Sequence, residues 1–235
     1  EIFLALESKA DTLVHLITSF TIYDKYSTPL PIRFSKFYNL KKLTIDVTYL
    51  EFGFQLESSF FQNLEILQID YIRIITIIHI IKNSRGRLRK ILVNEFEYAK
   101  HFYEDSLDLI RAISENCPLV EYLSLVVSSS KEHFVEFEKL LRSCQKLKTL
   151  FIVNREKYRW LGEKFAYEKS LIKSASNNLR EIIFGEHVLL NYGFKFSLEV
   201  LESRLENWRD RTALSTNKGF RCGFSKDLFE NRVID

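Results

Sequence analysis

Methionine is absent from the 235 residues, and the chain begins at Glu1, a combination that points to a segment of a longer or processed protein. Cysteine is scarce. Cys117, Cys144 and Cys222 cannot complete a disulfide framework, and none stands in a Cys-x-x-Cys pair that would hold zinc or cycle between thiol and disulfide. No Asn-x-Ser/Thr acceptor and no charged-then-apolar leader occur, so reduced thiols in a cytoplasmic or nuclear protein are the expectation. No apolar run reaches membrane-spanning length, and the longest, Ile72 to Ile81, is interrupted by Arg73, Thr76 and His79, so no membrane partner is expected. Charge of one sign is missing too: Lys+Arg 34 against Asp+Glu 31 leaves +3, too little to call for nucleic acid or an anionic surface.

The residues that carry chemistry are also sparse. His15, His79, His101, His133 and His187 show no His-x-x-x-His spacing, so no metal ligand set is expected. There is no Gly-rich phosphate loop, no Gly-x-Ser-x-Gly elbow and no paired-carboxylate motif, which leaves no expected catalytic residue or cofactor and reads as a protein that is not an enzyme. Cys117 and Cys144 could be reactive thiols, but they occupy matched positions in a repeat, which favours a buried corner.

What the chain does have is 46% hydrophobic and 28% charged residues, enough to bury a sizeable core. It also repeats itself. Aligning on Leu-x-x-Leu-x-Leu gives copies beginning at Leu13, Leu40, Leu64, Leu88, Val120, Leu147 and Leu179, separated by 27, 24, 24, 32, 27 and 32 residues. Asn39, Asn63 and Asn178 each precede the first apolar residue, where an Asn in the left-handed conformation would stop a helix. Gly86 and Pro118 mark the same corner elsewhere, and Cys117 and Cys144 both fall three residues before the first apolar position.

Amphipathic runs precede several corners: Ile75, Ile78 and Ile81; Leu107, Ile110 and Ile113; Phe134, Phe137, Leu140 and Leu141. Phe34 to Tyr38 and Ser58 to Gln62 leave room only for short helical turns, and Leu198, Leu201, Leu205 and Trp208 suggest a last helix before an edge strand at Thr212 to Leu214. A strand and a helix cannot bury their apolar faces alone, so such units must stack, and a helical crossover between strands makes them parallel. The expected fold is an α/β solenoid of about seven to eight repeats over residues 1–214, with a parallel concave sheet, helices on the convex face, and a cap or tail at 215–235 that includes Gly219, Cys222 and Gly223. Seven strands would span on the order of 30 Å, a width suited to binding a protein.

Two surfaces compete for function. Side chains alternating with the inward Leu/Ile positions must point out of the core. These are Lys42, Thr44 and Asp46; Ile66, Gln68 and Asp70; Lys90, Leu92 and Asn94; Tyr122, Ser124 and Val126; Thr149, Phe151 and Val153; and Glu181 and Ile183. Asp46, Asp70 and Asn94 would form a polar file, while Leu92, Tyr122, Phe151 and Ile183 suggest an apolar patch of the sort that recognises protein. The competing reading is that loops or the tail cover this face. The second surface is Lys82, Arg85, Arg87, Arg89 and Lys90, which could meet the phosphates of a nucleic acid or be a solvated helix-to-strand corner, the reading we favour.

The copies quoted above resemble leucine-rich repeats, and Cys-Pro-Leu-Val-Glu-Tyr-Leu-Ser-Leu at 117–125 is similar to the cysteine-containing type. More narrowly, the Ile- and Phe-rich repeats with Asn-Leu-x-x-Leu corners look like the F-box/leucine-rich-repeat substrate receptors of filamentous fungi, over roughly residues 2 to 212. That resemblance implies an intracellular receptor that holds a target protein on its concave face for an SCF cullin-RING ubiquitin ligase. It also implies an adaptor partner wherever an F-box is present; no Leu-Pro-x-Glu-like F-box helix pair is visible in this chain. A general scaffold, or a nucleic-acid-associated protein using residues 82–90, is the alternative.

Overall fold

Every strand begins two residues after the first apolar position of a Leu-x-x-Leu-x-Leu copy. The computed structural model describes residues 2–20, 34–47, 56–70, 72–93, 102–128, 130–154, 174 and 176–186. Within them, β1 (His15–Phe20), β2 (Lys42–Val47), β3 (Ile66–Asp70), β4 (Lys90–Leu92), β5 (Tyr122–Val127), β6 (Thr149–Asn154) and β7 (Glu181–Glu186) form one seven-stranded sheet in chain order. All neighbours are parallel, so the fold is α/β with an all-parallel sheet. The register follows the sequence copies: Leu16, Leu43, Leu67, Ile91, Leu123, Leu150 and Ile182 are Cα partners from strand to strand.

The helices are α1 (Ile2–Glu7), α2 (Ile74–Lys82), α3 (Phe102–Asn116) and α4 (Lys131–Ser143), with a 3-10 turn at Phe34–Lys36. Helix α1 lies outside the expected periodic runs. The turn expected at Ser58 to Gln62 falls earlier, with helical backbone at 56–57. The expected helix near 198–208, the edge strand at 212–214 and the boundary at 214/215 lie outside the described residues.

Leu43, Leu67, Leu123 and Leu150 are fully buried, as are Leu40, Leu64, Leu88 and Val120 one step before them. Removing each such side chain from water contributes about 1.5–3 kcal/mol. Helix α2 corrects the expectation of one apolar stripe. Ile75 is only half-buried, whereas Ile74, Ile77 and Ile80 join Ile78 and Ile81 in the core, leaving His79 and Lys82 exposed. Packing against α3 consumes the face that the stripe left to solvent. Its N-terminus takes no side-chain cap from Arg73. Instead the Glu57 carboxylate accepts from the Thr76 hydroxyl at 2.6 Å and the Arg73 guanidinium at 2.8 Å, bringing negative charge to the positive end of the helix dipole.

The corners work differently from the sequence expectation. Among the described residues only Arg85 (φ 54) and Gly86 (φ 74) have positive φ, so Asn39, Asn63 and Asn178 do not act through left-handed backbone. Their amides reach into the preceding corner: Asn39 donates to the Asp11 carbonyl at 2.6 Å, Asn63 to Tyr38 at 3.1 Å and Asn178 to Gln145 at 2.8 Å. Asn83 makes the same kind of step to Ser59 at 3.1 Å, and the Cys144 thiol to the Cys117 carbonyl at 3.6 Å. Below them runs a backbone ladder. The Lys41 carbonyl accepts Glu65 and Ile66 amides at 2.8 and 2.9 Å, Glu65 accepts Arg89 and Lys90 at 2.8 and 3.0 Å, and Arg89 accepts Glu121 and Tyr122 at 2.7 and 3.1 Å. From β1 to β5, each strand therefore starts at a carbonyl claimed by two donors of the next.

Gly86 is the tight point of this layer, since a Cβ there would meet the Asn116 carbonyl oxygen at 3.2 Å on a backbone with φ +74°. Gly86→Ala should destabilise the chain by more than about 1 kcal/mol, read as a lowered urea midpoint with an unchanged slope.

Candidate functional site

Parallel pairing puts outward residues of successive strands into files one strand spacing apart. The first file is His15, Lys42, Ile66, Lys90, Tyr122, Thr149 and Glu181, by Cα register. In it Lys42, Ile66, Lys90 and Tyr122 are half-buried, and the Lys90 ammonium lies 4.5 Å from the centre of the Tyr122 ring. That geometry is a cation–π contact between neighbouring strands. The second file pairs Ile17 with Thr44, Thr44 with Gln68, and Gln68 with Leu92, then Ser124 with Phe151 and Phe151 with Ile183. In the third, Asp46 pairs with Asp70.

Access to this face is uneven. Ile17 is 66% exposed, and Thr44 and Gln68 are half-buried, but Leu92 (7%), Ser124 (1%), Val126 (0%) and Thr149 (6%) are buried. Those four were expected to be accessible contact residues and are not. They alternate with the core positions as expected, yet alternation specifies only which face a side chain takes and says nothing about what lies over it. Tyr122 and Phe151 remain half-buried at the border of the closed region. Asn94 lies outside the described residues, as do the side chains of Asp46, Asp70, Val153, Glu181 and Ile183. The hydroxyl of Ser124 has no hydrogen-bond partner among the described residues, nor does the buried Thr44 Oγ1.

The basic segment is built into its corner. Arg87 donates to Asn63 Oδ1 at 3.0 Å, Arg89 lies 3.9 Å from Glu121, and Lys90 is engaged by Tyr122. Lys82 sits in the last turn of α2, where a cation suits the dipole, and Arg85 is exposed. A further charge file passed unnoticed in the sequence: Lys41, Glu65, Arg89, Glu121, Lys148 and Arg180, each directly after the first apolar residue of its copy. Ion pairs join Lys41 to Glu65 at 4.0 Å, Arg89 to Glu121 at 3.9 Å, and Lys148 to Glu121. Alternating sign at one fixed repeat position from Lys41 to Lys148 was the available signal.

Cys117 and Cys144 are buried free thiols. Burial pushes the Cys144 thiol up to about 12 and the Cys117 thiol higher still, the neighbouring Cys144 adding to the second shift. Among the described residues no group of three His, Cys, Asp or Glu side chains could hold a metal ion, and no helix is long and apolar enough to cross a membrane. One nucleophile–base geometry does occur: Ser106 Oγ lies 2.9 Å from His133 Nε2. Both side chains are 0% exposed and the Ser106 hydroxyl points to the Tyr103 carbonyl at 2.8 Å, so no substrate reaches the pair as it stands.

Two outcomes follow from these environments. In the native chain neither Cys117 nor Cys144 should be alkylated by iodoacetamide at pH 8, and both should react after unfolding, as read by peptide mass mapping. Ser124→Ala removes a buried hydroxyl without a partner among the described residues and should stabilise the protein by about 1 kcal/mol, seen as a raised urea midpoint.

Against known proteins, the chain matches no family, no curated protein and no solved structure.

Proposed function

We propose that this chain is a non-enzymatic protein-recognition module: a leucine-rich-repeat solenoid of the cysteine-containing type, with seven to eight turns, that holds a target protein on its concave sheet. The observation that carries the reading is the in-register file Lys42, Ile66, Lys90 and Tyr122, half-buried side chains on four successive strands. A rigid backbone ladder beneath them presents a pre-organised surface, which lowers the ordering cost of binding. Its aromatic member, Tyr122, is of the residue type enriched in interface cores, while the two lysines suit a polar rim.

The concrete form of the proposal, carried by the resemblance of the Asn-Leu-x-x-Leu and Cys-Pro copies, is a substrate receptor of an SCF cullin-RING ligase. Such a receptor does no chemistry of its own. It keeps a bound protein within reach of a ligase that transfers ubiquitin. A general repeat scaffold without an adaptor partner is the version that remains if no F-box accompanies this segment. Nucleic-acid binding through residues 82–90 ranks behind both, because Arg87, Arg89 and Lys90 each already have a partner within the protein.

Affinity capture with the full-length protein should recover a cullin-ligase adaptor together with the target; recovery of a target without adaptor leaves the scaffold version. Tyr122→Ala combined with Phe151→Ala should weaken target capture by at least about tenfold, as loss of aromatic anchors does. Equal capture by the folded double variant would remove the sheet face from the proposal.

A further inference from the structure

The first outward file carries two cations that no carboxylate of the described residues neutralises. Lys42 on β2 and Lys90 on β4 flank Ile66 on β3 by Cα register, and all three residues are half-buried. A lysine withdrawn from water ordinarily gains a counter-charge, because desolvating an ammonium costs free energy that an anion offsets. The carboxylates at the heads of the intervening and following strands are committed elsewhere: Glu65 to Lys41 at 4.0 Å, and Glu121 to Arg89 at 3.9 Å and to Lys148. Lys90 meets the Tyr122 ring at 4.5 Å. That contact orients the ammonium without cancelling its charge, and it leaves N–H donors for an anionic acceptor.

Two strand spacings separate the lysines, roughly 9.5 Å. A chain in the polyproline II conformation advances roughly 9.3 Å in three residues and returns to the same face. A helix meets the same spacing only with residues seven apart, roughly 10.5 Å, over two full turns. Along the strands the sign of the charge reverses. Asp46 and Asp70 stand four residues beyond Lys42 and Ile66 on β2 and β3, roughly 13 Å away. An acidic ligand is therefore confined to the first file, lying across the strands. A nucleic acid, wider than one extended chain, would bring phosphates toward the positions of Asp46 and Asp70.

We infer that the file Lys42, Ile66 and Lys90 is the docking site for an extended acidic segment of a partner protein. Two carboxylates three residues apart meet the two ammoniums, and the residues between them lie on Ile66. The inference rests on the concave-face reading above and names the chemistry of the target held there. Tyr122 bounds the site on the β5 side, and the next residue of the file, Thr149, is buried and offers no further contact. Toward β1 the surface stays open, with His15 and Ile17 exposed.

Titration of the isotope-labelled whole chain with acetyl-Gly-Asp-Pro-Pro-Asp-Gly-amide, followed by NMR, tests the site. Amide shifts should centre on Lys42, Ile66, Lys90 and Tyr122, and affinity should fall as salt rises from about 0.02 to about 0.5 M. The Asn-Pro-Pro-Asn analogue should bind at least about tenfold more weakly, and so should the acidic peptide to Lys42→Gln/Lys90→Gln, because charge-assisted contacts are lost. Lys131→Gln/Lys139→Gln removes two charges from α4 instead and should bind as the native chain does. If the Lys42→Gln/Lys90→Gln variant does not fold, the Asn analogue and the salt dependence of the native chain decide. An unresponsive native chain, equal binding of the Asn analogue, or equal binding by folded Lys42→Gln/Lys90→Gln would each overturn the acidic segment. The concave-face reading would then still be judged separately, by target capture with the Tyr122→Ala and Phe151→Ala double variant. Tighter binding of an oligouridylate than of the peptide, lost in the same lysine variant, would overturn the inference in favour of nucleic acid.

Discussion

The structure depends on one repeated constraint, the corner carbonyl that accepts two amides from the next strand. At Lys41, Glu65, Arg89 and Glu121 this acceptor sits directly before the strand, so each strand is positioned by the one before it. Because side chains alternate along a strand, a slip of one residue would turn Leu43, Leu67, Leu123 and Leu150 out of the core together. Two donors on one oxygen oppose that slip at every step. Inward burial and outward display are therefore a single decision, taken at the corner.

The charge file is the side-chain counterpart of that ladder. Lys41, Glu65, Arg89 and Glu121 alternate in sign at the same position that supplies the shared carbonyl. Separations of 4.0 Å for Lys41–Glu65 and 3.9 Å for Arg89–Glu121 on a solvated edge contribute only tenths of a kcal/mol each. Their effect is on pairing: a strand that skipped a neighbour would bring Lys41 beside Arg89, or Glu65 beside Glu121. Weak pairs can thus discriminate between stackings while adding little to stability.

How much of this was legible in the sequence depended on whether a residue's partner lay nearby in the chain. The Leu-x-x-Leu-x-Leu copies located the strands and their register because burial on one face is written locally, as spacing. The Asn corners were located but misread, since the acceptors for Asn39, Asn63 and Asn178 lie 28, 25 and 33 residues away. The same holds for α2, whose Ile77 and Ile80 are buried by packing that its own periodicity does not encode. On the outward face, alternation identified Thr149, Ser124 and Val126 as leaving the core, but their burial depends on what lies over them. Half of a candidate surface can be correct in direction and still closed to a partner.

The helical layer is less uniform than the sheet, and the difference has a physical source. At the Cys117 and Cys144 corners it is nearly dry, and burial holds both thiols neutral across the ordinary pH range. At Ser106, His133 and Ser130 it is polar, one imidazole meeting a serine hydroxyl at each of its two nitrogens. The sheet carries no such group in its backbone ladder, whose carbonyls and amides do not titrate. The bonds that set the register of β5 and β6 and those that join α4 to α3 through His133 are made by different atoms. The face carrying Tyr122 and Phe151 takes its register from that same ladder.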